Sequence, residues 1–188
     1  MPTYGVLALQ GDWAAHGAVL GRLGASPRPV RTAADLKGLA GLVMPGGEST
    51  AMLRLMESED LGARIRQRVA SGMAVLATCA GVILLAEAVE PAQPSLGVLA
   101  IDVVRNAYGR QIHSTVADIE LAPELGEPRR TPAVFIRAPR ISRLGEQVEV
   151  LGRLGDEAVL VRQGRLLGAT YHPELSSDDR VHELFLKL

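Results

Sequence analysis

The sequence predicts an α/β fold, a doubly wound, mostly parallel sheet with helices on both faces and an antiparallel strand extension. Two patterns support this prediction. Through the first half of the chain, short apolar runs alternate with helical patterns, as in parallel sheets whose strands are joined by helices. The second half carries short runs rich in β-branched residues and separated by turn residues, as in hairpins. Since the 188 residues contain no linker or repeat, we expect a single domain over residues 1–188.

The elements of the first half follow from the positions of apolar runs and glycines. Apolar runs that stop at a glycine or a Pro-Gly pair are typical of strands buried on both faces. Asp12 is the expected N-cap of the first helix, and Gly24 its end. We predict strands at residues 4–9, 29–31, 39–44 and 73–77, and helices at residues 12–24, 49–70 and 82–89.

The second half is predicted to form antiparallel strands followed by one helix. Pairs such as Gly155-Asp156 and Gln163-Gly164 separate its apolar runs and favour tight turns. We predict strands at residues 98–104, 115–121, 133–136, 148–151, 158–162 and 166–171, and a helix at residues 178–187.

Composition excludes several classes of function. The 20 Lys and Arg residues nearly balance 21 Asp and Glu, and aromatic residues make up 3%, so we expect no nucleic-acid interface. A single cysteine excludes an internal disulfide and a cysteine-based zinc site. The N-terminus lacks the basic segment of a secretory signal, and the most apolar stretch, residues 73–86, is too short to cross a bilayer. We expect a soluble, cytoplasmic protein that binds neither nucleic acid nor membrane.

The only cysteine, Cys79, lies where an apolar strand runs directly into a helix, with small residues on both sides. This layout predicts a nucleophile elbow, a tight turn that presents the side chain at the carboxyl edge of the sheet. A helix N-terminus behind the sulfur favours the thiolate, and the N–H of Ala80 points into the same space. The alternative is an inert, buried cysteine.

A cysteine nucleophile needs a base with an orienting partner, and His172 with Glu174 is the best candidate. In an extended segment, residues two apart face the same side, so the carboxylate of Glu174 can hold the imidazole of His172. The alternative is a strand-end turn without function. His113 lies in a loop-like stretch. We interpret His16 in the first helix and His182 in the last helix as surface or packing residues.

Acyl chemistry also needs donors for an oxyanion. Pro45-Gly46-Gly47-Glu48-Ser49 follows a buried strand and opens a helix, and its two glycines let backbone N–H groups approach a ligand. The alternative is an ordinary glycine-rich turn capped by Ser49. No lysine follows in the place that a phosphate-binding loop requires.

With these segments in this order, the chain resembles the class I glutamine amidotransferases. More narrowly, it resembles the glutaminase subunits of the glutamine-dependent pyridoxal phosphate synthase, the PdxT family. One position departs from the family pattern, because Ala77 stands where the elbow usually has glycine. The resemblance rests on Gly-Val-Leu-Ala-Leu-Gln-Gly at residues 5–11, Pro-Gly-Gly-Glu-Ser-Thr at 45–50, Thr-Cys-Ala-Gly at 78–81, Arg-Asn-Ala-Tyr-Gly-Arg-Gln at 105–111, Phe-Ile-Arg-Ala-Pro at 135–139 and His-Pro-Glu-Leu at 172–175.

The resemblance implies a flavodoxin-like core and hydrolysis of L-glutamine to L-glutamate and ammonia. The ammonia would pass to a separate synthase subunit that builds pyridoxal phosphate. By position, the resemblance assigns Cys79 as nucleophile, His172 as base and Glu174 as its partner. It assigns glutamine binding to Gly47, Glu48, Ser49, Arg105, Ile136 and Arg137, and the oxyanion hole to the backbone of Gly46, Gly47 and Ala80.

None of these steps requires a metal or an organic cofactor, and we expect none. Arg105 or Arg137 is expected to pair with the α-carboxylate of glutamine, with the backbone of residues 136–137 as the alternative. Alternative functions are the glutaminase of imidazole glycerol phosphate synthase, a cysteine peptidase or stress-type thiol protein, and a non-enzymatic interaction domain.

Overall fold

The structure is a computed structural model that describes residues 2–57, 60–105 and 115–188. Within these ranges it contains twelve strands and five α-helices. The helices are α1 (Trp13–Arg22), α2 (Ser49–Glu57), α3 (Leu61–Ala70), α4 (Ala80–Leu85) and α5 (Arg180–Leu186). The strands are β1 (Thr3–Leu7), β2 (Ser26–Val30), β3 (Gly41–Met44), β4 (Ala74–Thr78), β5 (Ala86–Glu90), β6 (Leu99–Val104), β7 (Thr115–Leu121), β8 (Arg130–Phe135), β9 (Arg140–Leu144), β10 (Glu149–Leu154), β11 (Glu157–Gln163) and β12 (Leu166–Ala169).

Nine strands form one large sheet in the order β2-β1-β3-β4-β12-β11-β10-β7-β8. The first five strands in this order pair in parallel, and the pairs from β12 to β8 are antiparallel. The predicted parallel sheet with an antiparallel extension is therefore confirmed. A second sheet has the order β5-β6-β9.

Helices cover both faces of the parallel strands, because successive strand residues point to opposite sides. Leu42 and Val75 belong to one buried apolar cluster, whereas their chain neighbours Val43 and Leu76 belong to the other. Helices α2, α3 and α4 contribute apolar side chains to the first cluster, and α1 and α5 contribute to the second. The parallel strands are therefore buried on both faces, as their continuous apolar runs predict.

The helix predicted at residues 49–70 is wrong as one element, because the structure has two helices. Asp60 adopts a left-handed backbone conformation with φ 51°, which a continuing α-helix does not permit. Each helix buries a pair spaced by four residues, Met52 with Met56 and Leu61 with Ile65. The step of five residues from Met56 to Leu61 breaks that spacing. Because the first helix ends and a second begins, both pairs can still face the same apolar core.

The helix predicted at residues 82–89 is also wrong in its second half. Helix α4 ends at Leu85, and the chain continues as β5, which pairs in parallel with β6. Alanine and glutamate favour helix in this stretch, but pairing with β6 decides the backbone conformation. Strand β9 was not predicted, since its arginines obscure the alternation. It pairs antiparallel with β6, and Arg143 bonds to Asp102 across the pair.

The other predicted strands and helices are present, with ends shifted by a few residues. Asp12 accepts a hydrogen bond from the N–H of Ala15 at the start of α1, and Gly24 follows the end of α1 with φ 81°, as predicted. No helix within the described ranges is long and apolar enough to cross a membrane.

Candidate active site

Four of the segments around the cysteine follow parallel strands and lie at one edge of the large sheet. Carboxyl ends of parallel strands share one edge, and ligands bind there in open α/β sheets. Gln10 follows β1, the Gly46-Gly47 pair follows β3, Cys79 follows β4, and His172 follows β12. These four strands lie side by side in the order β1-β3-β4-β12. Segments far apart in the sequence therefore meet around the cysteine.

Cys79 lies in the sharp turn between β4 and α4 with φ 47° and ψ −107°. A positive φ is uncommon outside glycine, and such strain collects at functional sites. The crowding predicted at the elbow is real, because a Cβ at Gly81 would lie 2.1 Å from the carbonyl oxygen of Met44. Ala77 lies inside β4, between Met44 and Gly168, with a negative φ that accommodates its methyl group.

His172 and Glu174 form the predicted pair, with Nδ1 of His172 2.7 Å from Oε1 of Glu174. The segment is not extended as expected, because Pro173–Leu175 is a 3-10 turn. The turn still brings the two side chains together, and the N–H of His172 bonds to the carbonyl of Val134 in β8. Only 3% of the Glu174 side chain and 13% of the His172 side chain are exposed.

The ring of His172 lies beside the cysteine. A Cβ added at Gly46 would lie 2.5 Å from Cε1 of His172 and 3.3 Å from Cβ of Cys79, so both side chains pack around one point. Nε2 of His172 is buried and has no hydrogen-bond partner among the described residues. Sγ of Cys79 lies 3.6 Å from the carbonyl oxygen of Ile136, to which the thiol donates.

Electrostatics keep the imidazole basic and the carboxylate charged. Burial alone would lower the pKa of His172, but the neighbouring Cys79 and Glu174 raise it to about 10. Burial alone would raise the pKa of Glu174, but the hydrogen bond from His172 and the nearby His16 hold it below its ordinary value. This pair therefore carries a proton on the imidazole and a negative charge on the carboxylate at neutral pH.

A cavity of about 450 Å³ opens above the cysteine, within the range of small-molecule sites. Two predicted residues lie outside its lining: Gly46, which packs beneath His172, and Glu174, which lies behind His172. The other predicted residues all line it: Gly47, Glu48, Ser49, Cys79, Ala80, Arg105, Ile136, Arg137 and His172, together with Gln10, Gly11 and Ile83.

The Gly46-Gly47 segment is held from two sides. A Cβ at Gly11 would lie 1.8 Å from the carbonyl oxygen of Gly46, so only glycine permits this approach. Oε1 of Gln10 accepts a hydrogen bond of 3.1 Å from the N–H of Glu48. Ala80 is the first residue of α4, and its N–H therefore has no acceptor within the helix. Gly47 and Ala80 line the same cavity as Cys79.

Charged side chains define the outer part of the cavity. Both carboxylate oxygens of Glu48 accept backbone N–H groups, from Thr50 at 3.0 Å and Ala51 at 2.8 Å, which caps α2 and lowers the pKa of Glu48. Arg105 follows β6, and its Nη1 lies 3.5 Å from Oγ1 of Thr50. Arg137 is exposed and has a left-handed φ of 45°. Residues 106–111 and His113 lie outside the described residues.

A family model described as the SNO glutamine amidotransferase family matches residues 6–188. The chain belongs to this family. A pyridoxal 5'-phosphate synthase subunit PdxT from Solibacter usitatus is 50% identical over 191 residues, covering 99% of this chain and 98% of that protein. The PdxT subunit from Thermus thermophilus is 50% identical over 190 residues, covering 98% and 96%.

Solved structures agree with this SNO family membership. A crystal structure of a glutamine amidotransferase is 48% identical, with a TM-score of 0.90, and the match covers 98% of this chain and 97% of that one. PurLQS from Thermotoga maritima shares the fold with a TM-score of 0.79 at 16% identity, over 99% of this chain and 98% of the other.

Of the two roles predicted for His16 and His182, surface or packing, burial excludes the surface role. His16 and His182 are fully buried, with Nδ1 of His16 3.0 Å from Nε2 of His182. His16 also approaches Glu174, with Nε2 3.3 Å from Oε2. Helical spacing carried the signal, because His16 shares a face with Leu20, and His182 shares a face with Phe185. The spacing indicates burial, but not which groups the rings meet.

Proposed function

We propose that the chain hydrolyses L-glutamine to L-glutamate and ammonia, with Cys79 as nucleophile, His172 as acid and base, and Glu174 orienting His172. One observation carries the proposal: Cys79 and His172 line one cavity together with Gly47, Ala80 and Arg105. The near-full-length similarity to pyridoxal 5'-phosphate synthase subunits supports glutamine as the substrate. The proposal treats residues 1–188 as a single glutaminase domain.

The first half-reaction forms a thioester. With the cysteine proton already held on Nε2 of His172, the sulfur of Cys79 attacks the side-chain amide carbon of glutamine. The carbonyl electron pair moves onto oxygen, where the N–H groups of Ala80 and the Gly46-Gly47 segment stabilise the oxyanion. His172 then gives its proton to the amide nitrogen, the C–N bond breaks, and ammonia leaves.

The second half-reaction releases glutamate. His172, now neutral, takes a proton from water, and the hydroxyl oxygen attacks the thioester carbon. The same N–H groups stabilise the second oxyanion, because it forms in the same position. The C–S bond then breaks, and the sulfur leaves as a thiolate beside the protonated His172, which restores the starting state. Glu174 remains ionised throughout and stabilises each imidazolium that forms.

Substrate recognition falls to the outer side of the cavity. The α-carboxylate of glutamine needs a cation, and the Arg105 guanidinium supplies two parallel donors. The α-amino group needs acceptors, which the segment of Gly47, Glu48 and Ser49 and the carbonyl groups of Ile136 and Arg137 provide.

The partner that consumes the ammonia is the synthase subunit of pyridoxal phosphate synthase. Two full-length relatives bear the name of a subunit of that enzyme, which supports this partner over imidazole glycerol phosphate synthase. We place the protein in the cytoplasm, because a nucleophilic Cys79 must remain a free thiol and reducing compartments preserve it.

The test is pyridoxal phosphate formation by the cognate synthase subunit with glutamine as the nitrogen source. We expect product with glutamine only when this chain is present, and product with ammonium salts whether or not it is present. The imidazole glycerol phosphate synthase subunit serves as the control partner. Ammonia transfer to that control partner alone would contradict the proposal.

A further inference from the structure

Glu174 is contacted from behind by a second histidine. Oε1 of its carboxylate bonds to Nδ1 of His172, while Oε2 lies 3.3 Å from Nε2 of His16. Oε2 is buried and makes no hydrogen bond of good geometry within the described residues, and Nε2 of His16 at 3.3 Å is the basic nitrogen placed against it. A buried carboxylate needs donors on both oxygens to stay ionised. His16 is therefore in a position to complete the environment of Glu174.

His16 also contacts the turn that carries the nucleophile. Its Nε2 lies 3.2 Å from Oγ1 of Thr78, the residue directly before Cys79. Nε2 of His16 therefore lies within 3.3 Å of both the hydroxyl of Thr78 and the carboxylate of Glu174, so that a proton on Nε2 would face both oxygens. The ring links β4, which ends in the nucleophile, with the 3-10 turn that carries Glu174. The ring thus contacts one residue of the proposed triad, Glu174, and the chain neighbour of another, Cys79.

The surroundings of His16 select its tautomer. If Nε2 carried the lone pair, it would face the charged carboxylate of Glu174, which is repulsive. With the proton on Nε2, Nδ1 is the acceptor, and Nε2 of His182 donates to it across 3.0 Å. Nδ1 of His182 then carries a lone pair, which agrees with its lack of a partner among the described residues.

Both rings stay neutral in this arrangement. Burial lowers the pKa of His16, and burial together with His16 lowers the pKa of His182 to about 3. The rings face each other at hydrogen-bond distance through Nδ1 and Nε2, so the space between them admits no metal ion. The chain of contacts therefore runs in one direction, from His182 through His16 to Glu174 and His172.

We propose that His16 is a positioning residue of the glutaminase site, whose Nε2–H holds Oε2 of Glu174 so that Oε1 faces His172, and that His182 fixes the His16 tautomer. This inference rests on the proposed function, because it assigns His16 a role in the same reaction. His16 is not among the residues that line the cavity, and the proposed role runs through its contact with Glu174.

The test compares two amides at position 16, assayed with the synthase subunit present. His16→Gln keeps a donor near the Nε2 position and can still reach Glu174. His16→Asn keeps only an acceptor near the Nδ1 position, facing His182. We expect kcat to fall ~10- to 100-fold in His16→Asn, as for loss of a hydrogen bond to a charged group, and far less in His16→Gln. KM for glutamine stays unchanged in both variants.

A purely structural role predicts a different pattern. If His16 only joined α1 to α5, His16→Asn would retain activity better than His16→Gln, and kcat would follow thermal stability. Leu20→Ala is the matched control, because Leu20 is fully buried on the same face of α1 and does not contact Glu174. We expect it to lose stability and to keep kcat at temperatures where it is folded.

A double-variant cycle sharpens the test. Adding His16→Asn to Glu174→Gln should cost no further activity, since His16 acts through the charge of Glu174. Additive losses would overturn the proposal.

A spectroscopic measurement does not depend on turnover. With 15N-labelled histidine, we expect the Nε2–H tautomer at His16 and a strongly deshielded Nδ1 proton on His172. That proton signal should persist in His16→Gln and shift in His16→Asn. An unchanged His172 signal in both variants would overturn the role of His16, whereas absence of glutamine hydrolysis in the wild type would overturn the proposed function instead.

Discussion

The inner and outer sides of the candidate active site hold their side chains in different ways. On the inner side, Glu174 and His16 are almost completely buried, and His172 is nearly so. On the outer side, Glu48 and Arg137 are exposed, and Arg105 is half-buried. The inner side fixes charges and proton positions in advance, which bond making requires. The outer side leaves its charged groups open to the solvent, which suits binding and release of an amino acid.

This comparison predicts that inner-side changes reduce kcat and outer-side changes raise KM. Apart from loss of the nucleophile itself, the largest effect belongs to Glu174→Gln. An amide in this position favours the wrong imidazole tautomer of His172, and we expect kcat to fall by ~100- to 10,000-fold. KM for glutamine should change little. Glutamate release measured with the synthase subunit present gives both constants.

The control for Glu174→Gln is Glu183→Gln, which removes the same charge from the exposed face of α5. Equal kcat for the two variants would remove Glu174 from the mechanism.

A second inner-side change would act by a steric clash alone. In Gly46→Ala, the new methyl group would lie 2.5 Å from Cε1 of His172, so the ring must move away from Cys79. We expect kcat to fall by ~100-fold, as for a misplaced catalytic group. Gly21→Ala is the control, because a Cβ there meets nothing within 4 Å. Normal turnover in Gly46→Ala would mean that His172 does not work from this position.

The outer side is tested by Arg105→Gln. Loss of the guanidinium should raise KM for glutamine by ~10- to 100-fold, because a charged hydrogen bond to the α-carboxylate is lost. The effect on kcat should be about threefold or less, since Arg105 does not touch the reacting amide. Arg54→Gln removes an exposed arginine from α2 outside the cavity and serves as the control. A fall in kcat with unchanged KM would contradict this division between the two sides.

The smallest effect concerns stability rather than turnover. His16 and His182 have lowered pKa values, so the unfolded chain binds protons that the folded chain lacks as pH falls below 6.5. The free energy of unfolding should therefore decrease between pH 6.5 and pH 4.5, with a limiting slope of about 1.4 kcal/mol per pH unit for each histidine. Glu174, whose pKa is also lowered, adds its loss only below about pH 4.5.

His172 contributes in the opposite direction. Its pKa is raised to about 10, so its contribution to stability is complete below pH 6.5 and is lost as pH rises towards 10. Urea unfolding between pH 4.5 and pH 9.5 measures both limbs. His182→Gln should flatten the acid limb, and a flat acid limb in the wild type would mean that the two histidines are not buried neutral.

Local sequence patterns predicted which inner-side residues form the candidate site. They did not predict the contacts between residues that are far apart in the sequence. The elbow at Cys79 and the pair of His172 and Glu174 are each formed by residues that are close together in the sequence. The meeting of His16 with His182 joins helices at opposite ends of the chain, and periodicity alone reports only that each ring is buried. The order of the parallel strands in the sheet could not be predicted without their pairing. Because the carboxyl ends of parallel strands share one edge, the motifs that follow these strands were nevertheless expected to lie close together.

Two errors in the predicted secondary structure have the same physical cause. Residues 86–90 favour helix locally but form β5, because β6 offers a strand to pair with. Strand β9 reads as a polar segment, and its arginines are stabilised by ion pairs such as that between Arg143 and Asp102. In both cases the partner strand, which lies elsewhere in the sequence, decides the conformation.

The central claim is that the Cys79 sulfur attacks glutamine. Its most direct test is glutamate release by Cys79→Ala in the presence of the synthase subunit, with circular dichroism and thermal unfolding to show that the fold persists. We predict that release falls to the uncatalysed background while the fold is retained, because alanine suits the crowded elbow. Glutamate release at the wild-type rate from a folded Cys79→Ala protein would contradict the assignment of Cys79 as the nucleophile.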